Sequence, residues 1–90
     1  MSARWVLNRH FHARPLERAS RRWILDSVDD GSGSPHLQIV FQGPDSAAIE
    51  GAVDIREIRS QADGDRTRFV IDVTQGALTL MARAMQVHET

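Results

Sequence analysis

Residues Val53-Asp-Ile-Arg-Glu-Ile-Arg-Ser-Gln61 decide the fold class, because the apolar positions around them fit two different structures. One set of residues recurs at the three- and four-residue spacing of an amphipathic helix: Ala48, Ala52, Ile55 and Ile58. Asp45 or Ser46 would cap such a helix, which is our first interpretation of this region. The alternative ends the helix near residue 52 and pairs 53–61, as a strand, with 66–73 across the turn at 62–65.

Other stretches predict three strands and two more helices. The strands cover residues 4–8, 36–42 and 67–73, which alternate between apolar and polar positions or are rich in β-branched and aromatic residues. A first helix begins at Pro15, where the missing amide proton costs nothing, and a last helix begins after Thr74 as its N-cap. Residues 22–28 either finish the first helix or form a strand paired with 36–42 across the Gly/Ser-rich loop at 29–35.

These elements together predict an α+β fold. We expect one domain over residues 1–90, a two-layer sandwich with a mostly antiparallel sheet of about 3–5 strands against about 2–3 helices. The order of elements would be βαββαβα. A chain of 90 residues buries only a modest core, so partner binding or oligomerisation would add to its stability.

Composition excludes several kinds of site. The chain has no cysteine, which rules out disulfides, thiolate metal sites and cysteine nucleophiles. No apolar run approaches the roughly 20 residues that span a bilayer, and arginines interrupt every short apolar stretch near the start. We therefore expect a cytoplasmic protein that has no membrane partner and needs no cofactor or metal.

Charge is distributed unevenly along the chain, although the net charge is only −1. Residues 1–24 hold six arginines and one acid, a balance of +5, whereas residues 25–90 hold five arginines and eleven acids, a balance of −6. This asymmetry predicts a cationic face for an anionic partner. The alternative is that the basic segment forms ion pairs with the acidic remainder of the same molecule.

The stretch Asn8-Arg-His-Phe-His-Ala-Arg-Pro15 is the best candidate for chemistry. It is predicted to be a loop that leads into a helix, and the amide groups at a helix N-terminus favour bound anions. His12 would be the catalytic group, because histidine titrates near neutrality, and Arg14 would bind phosphate oxygens. The remaining anion-binding candidates are cationic residues in or near this segment: Arg9, His10, Arg18, Arg21 and Arg22.

This stretch resembles the phosphorylation loop of HPr, the histidine phosphocarrier family of the sugar phosphotransferase system. The resemblance covers the sequence His-Ala-Arg-Pro at 12–15 and the predicted order of elements. It implies that His12 accepts a phosphoryl group from a donor protein and that Arg14 stabilises it. His10 replaces the glycine of the family pattern, one loop residue is missing, and Glu17 stands where the family has a small residue.

Two other functions compete with a phosphocarrier. His10 and His12, two apart on an extended strand, would face the same way and could share a metal with a third ligand, although a solvated loop fits them better. Trp5, Phe11 and Trp23 interleave with the arginines, so base stacking combined with phosphate contacts would suit a nucleic acid. The main alternative is thus a non-enzymatic accessory protein that binds nucleic acid or an acidic protein surface.

Overall fold

The computed structural model describes residues 2–29, 31, 33–47 and 49–90, and its regular elements are all strands. Their bounds are β1 Ser2–Ala13, β2 Arg22–Ser27, β3 Leu37–Gln42, β4 Gly51–Asp63, β5 Arg66–Val73, β6 Gly76–Ala82 and β7 Ala84–Glu89. Within these residues there is no helix, so the predicted α+β sandwich is wrong and the fold is all-β. The described residues accordingly contain no apolar helix long enough to cross a membrane.

The strands form one antiparallel sheet in the order β6-β5-β4-β1-β2-β3-β7. β6 and β7 lie at opposite ends of this order, yet only Arg83 separates them in the sequence. The segment 76–89 is therefore one bent strand that pairs with β5 before the bend and with β3 after it. This connection draws the two ends of the sheet towards each other.

The interior is lined by large apolar side chains from both ends of the sheet. Trp23 stacks on Phe41 with ring centroids 5.4 Å apart, and Phe41 meets Phe69 edge-on at 5.1 Å. β3 and β5, which carry Phe41 and Phe69, are separated by three other strands in the sheet. Their contact shows that the sheet curls around a common core. Core side chains with at most 2% exposure include Phe11, Leu25, Ile39, Ile55, Ile58, Ile71 and Leu80.

A β-bulge explains why the helix predicted from Asp45 or Ser46 to about residue 60 is wrong. The pairing of β4 with β5 slips by one residue between Ile55 and Glu57. The extra residue puts Ile55 and Ile58, three apart in sequence, on the same inner face of the sheet, where both are buried. The alternative hairpin of 53–61 with 66–73 is confirmed, and its turn lies at Gly64 and Asp65. Ala48 lies outside the described residues.

The other two predicted helices are also wrong. Residues 18–21 form a tight turn between Glu17 and Arg22, and the following residues form β2, whose pairing with β3 confirms the hairpin alternative for 22–28. After Thr74, alternating residues of β6 point inward, so the apolar positions beyond it belong to a strand. The strands predicted at 4–8, 36–42 and 67–73 are confirmed within β1, β3 and β5. Asp30 and Ser32, in the predicted loop 29–35, lie outside the described residues.

Candidate anion-binding site

The predicted phosphate loop is extended strand rather than a loop before a helix. His10 to Ala13 belong to β1, so no helix N-terminus supplies amide groups beside them. His12 is exposed and lies directly opposite Asp26 of β2. Arg14 donates from Nε to Oδ2 of the same Asp26 at 2.6 Å. The structure thus places His12 and Arg14 beside Asp26, a carboxylate of the same chain, where the prediction placed a phosphate.

Two further candidates in β1 have partners within the fold. Arg9 donates to the Pro35 carbonyl at 2.8 Å and to the Ser27 hydroxyl at 3.4 Å, which ties β1 to the connection before β3. His10 is hydrogen-bonded through Nδ1 to Oδ1 of Asp54 on the neighbouring β4. Among the described residues, no group of three histidines or carboxylates is arranged to hold a metal ion.

Glu17 and Arg22 close the turn at 18–21. The Glu17 carboxylate accepts hydrogen bonds from the Ser20 hydroxyl at 2.8 Å and from Arg22 Nη2 at 3.1 Å. The Ser20 hydrogen bond, followed by the hydrogen bond and the charge of Arg22, holds the pKa of Glu17 below its usual value of 4.5. This pairing neutralises Arg22 and leaves Arg18 and Arg21 exposed on the turn.

Arginines from three parts of the chain lie at the turn that follows β3: the pair Arg18 and Arg21, then Arg66, and then Arg83. The Gly43 amide donates to the Arg21 carbonyl at 2.8 Å, and Arg66 Nη2 donates to the Gly43 carbonyl at 3.2 Å. Arg83 lies so close to Gly43 that a methyl group there would approach its Nε to 2.7 Å. We call this set the arginine cluster; its members are Arg18, Arg21, Arg66 and Arg83.

Two members of the arginine cluster, Arg18 and Arg21, line a shallow depression of about 260 Å³. Its lining comprises Leu16, Arg18, Arg21, Pro44 and Asp45. Asp45 is the one carboxylate in this lining, and its Oδ1 accepts the Met81 amide of β6 at 3.3 Å. Within the described part of the chain, none of the four arginines forms an ion pair. The site is therefore cationic and open to solvent.

Sequence reasoning identified only half of the arginine cluster. Arg18 and Arg21 were among the predicted anion-binding residues, but Arg66 and Arg83 lie in the acidic remainder of the chain. Arg66 begins β5 after a hairpin turn, and Arg83 is the residue at which the last strand bends. The available signal was the Gly43-Pro44 pair, which marks the turn but does not indicate which side chains surround it.

The aromatic residues proposed for base stacking are mostly inaccessible. Phe11 and Trp23 are fully buried, and Trp5 is partly buried against the core. Only Trp5 of the three therefore presents any ring surface to solvent.

No family model, no curated protein and no solved structure matches this chain.

Proposed function

We propose that this chain is a cytosolic binding module whose arginine cluster binds a carboxylate-rich segment of a partner protein. The observation that carries the proposal is the contrast in pairing among the arginines. Those with a carboxylate partner are Arg4, Arg14, Arg22, Arg59 and Arg68. Two carboxylates lie beside the arginine cluster and both have other partners: the backbone of β6 engages Asp45, and Arg68 pairs with Asp63, which lies opposite Arg66.

The chemistry of the depression favours carboxylates on a protein over a nucleic acid. Guanidinium groups bind carboxylates through two parallel hydrogen bonds, and four of them around one turn would suit several successive acidic side chains. Binding of single-stranded nucleic acid usually adds stacking on aromatic rings, and the lining of this depression contains no aromatic residue. The half-buried Leu16 supplies a small apolar floor that a peptide would cover.

The test is a titration of the whole protein into a fluorescein-labelled hexaglutamate peptide, followed by fluorescence anisotropy at low and high salt. We expect binding that weakens as salt rises, because exposed charges are screened. The double variant Arg18→Gln, Arg21→Gln should lower the affinity about tenfold, the size expected for losing two exposed charge pairs.

The matched control removes the same number of charges from paired arginines. Arg4→Gln with Arg59→Gln leaves the arginine cluster intact, because the partners of these arginines, Glu57 and Asp72, lie away from it, and this variant should bind the peptide as the wild type does. An equal loss of peptide affinity in both double variants would overturn the proposal, and so would a wild type that does not bind the peptide at low salt.

A labelled oligonucleotide of equal charge distinguishes the main alternative. If the oligonucleotide binds more tightly than the peptide and competes with it, the partner is a nucleic acid. The phosphocarrier function stays a separate prediction, which requires acid-labile phosphate on wild-type protein and none on His12→Ala after incubation with a phosphoenolpyruvate-dependent phosphotransferase mixture.

A further inference from the structure

The first half of β1 has an open edge. β1 pairs with β4 from Ser2 to Ala13, but its register with β2 covers only Phe11 to Ala13. In the described part of the chain, no strand lies on the other side of residues 2–7. The unpaired amide and carbonyl groups of such an edge are a template for another strand.

This edge also carries apolar side chains and has little of the usual protection. Trp5, Val6 and Leu7 follow one another, and the 61% exposure of Val6 is the highest among the described large apolar residues. Proteins commonly protect edges with prolines, charged side chains or charges that point inward; residues 2–7 hold no proline and a single charge, Arg4, which pairs with Glu57 of the same sheet. At the β7 edge, by contrast, Glu89 lies opposite the core-packed Leu37 and protects the strand.

Charged side chains form two rows of opposite sign beside this edge. In one row Arg4 lies directly opposite Arg59, and in the next Val6 lies opposite Glu57, which lies opposite Asp72. Ion pairs between the rows, Arg4 with Glu57 at 2.5 Å and Arg59 with Asp72 at 3.2 Å, relieve the repulsion within each row. On the outer face of the sheet, a row of positive charges and a row of negative charges therefore lie side by side next to the open edge of β1.

We propose that a second copy of this chain pairs antiparallel with residues 3–7, on a twofold axis through Trp5. In this register Arg4 of one copy lies opposite Val6 of the other, and Ala3 lies opposite Leu7. The row that contains Arg59 and Arg4 in one copy is then in line with the row that contains Val6, Glu57 and Asp72 in the other copy. Positive charges of each copy therefore face negative charges of its partner across the axis. The interface is isologous and buries the exposed side of Val6 beneath the aliphatic part of Arg4.

The neighbouring registers are less favourable. A shift that placed Arg4 opposite Arg4 would align four arginines in one row, because Arg59 continues the row in each copy. The opposite shift, with Val6 on the axis, would require Asn8 to pair, and Asn8 has a φ of 51° at a β-bulge. The register centred on Trp5 avoids both problems.

The first test is sedimentation of the whole protein over a range of concentrations up to the millimolar. We expect the wild type to dimerise and Val6→Lys to weaken the dimer about tenfold, since it sets like charges opposite each other at two symmetric positions. Within one copy the same substitution faces Glu57, so the monomer should remain folded. Val87→Lys, at the β7 edge, should leave dimerisation unchanged.

Two outcomes would overturn the proposal. One is a wild type that stays monomeric throughout. The other is a dimer that Val87→Lys dissociates and Val6→Lys does not.

The second test fixes the register by cross-linking, which is simple because the chain has no cysteine. Arg4→Cys and Val6→Cys, mixed and oxidised, should form a disulfide between the two variants, because directly opposed residues lie within disulfide reach. Neither variant should cross-link alone. Cross-linking of either variant with itself would contradict the register, and no cross-link in the mixture would contradict the interface.

Discussion

Two groups of arginines in this molecule show how pairing decides what the same residue type does. On the outer face of β1, β4 and β5, three arginines each lie next to a carboxylate: Arg4 with Glu57, Arg59 with Asp72 and Arg68 with Asp63. We call this group the arginine ladder. The arginine cluster around Gly43 has the same side chains without such partners.

The register of the strands accounts for this difference. Antiparallel pairing places a carboxylate diagonally across from each arginine of the ladder, so its charges cancel within the sheet. The arginine cluster is assembled from turns and a bend, and the one acid that the register places opposite a member, Asp63 opposite Arg66, pairs diagonally with Arg68 instead. Charge counted along the sequence therefore does not locate a cationic surface until the pairing is known.

The largest effect should come from the core that supports both groups. Phe41→Ala removes the ring that joins Trp23 to Phe69 and should lower the free energy of unfolding by about 3–5 kcal/mol. Urea denaturation monitored by tryptophan fluorescence measures this loss. A loss below 1 kcal/mol would mean that the two ends of the sheet do not share one interior.

A smaller change should disturb the arginine cluster and leave the ladder intact. Gly43→Ala adds a methyl group at a φ of 59° and displaces Arg83, whose Nε would lie only 2.7 Å away. We expect about 1 kcal/mol of destabilisation from the left-handed backbone, with weaker binding of the acidic peptide. The measurements are thermal unfolding and peptide anisotropy. Unchanged peptide affinity would separate Arg83 from the binding surface.

Reversing one charge should disturb the ladder and leave the arginine cluster intact. Arg59→Glu places a third carboxylate beside Glu57 and Asp72 and should cost about 1 kcal/mol of stability at low salt. Salt should reduce this cost through screening, and peptide binding should not change. A salt-independent loss would point to packing rather than charge.

The smallest effect concerns Glu17, which lies between the paired and unpaired arginines of the turn. Its pKa is lowered in the folded protein, chiefly by the Ser20 hydrogen bond and then by Arg22, so the ionised form stabilises the fold. This contribution is present above the usual value of 4.5 and is lost as the pH falls through the lowered value. Glu17→Gln should flatten the pH dependence of thermal unfolding in that acidic range, and an unchanged slope would contradict the assignment.

The sequence predicts strands reliably where apolar and polar positions alternate without interruption. β3 and β5 are examples, since Leu37, Ile39 and Phe41 in one and Phe69 and Ile71 in the other follow a period of two. The helix prediction for the region of β4 was wrong because the bulge leaves the inward-facing residues Ile55 and Ile58 three apart in sequence, which is the spacing of a helix. A bulge depends on tertiary pairing and has no clear signature in a single sequence.

The candidate site was only partly predictable for a related reason. Arg18 and Arg21 stand out in a basic segment, but only the bend at Arg83 and the hairpin before Arg66 bring the other two arginines to Gly43. The prediction for His12 and Arg14 depended on a helix after Pro15. In the fold that forms, residues 14–17 continue beside β2, and Arg14 bonds Asp26.

The strand that bends at Arg83 also sets the order in which the molecule can assemble. Until residues 84–89 have been synthesised, β3 has no neighbour on one side, and its apolar residues are free to associate with other chains. Contacts between distant parts of a chain form slowly, because long loops must close first. β7 follows the other six strands in the chain and is the one that shields β3, so conditions that slow its docking should favour aggregation over folding.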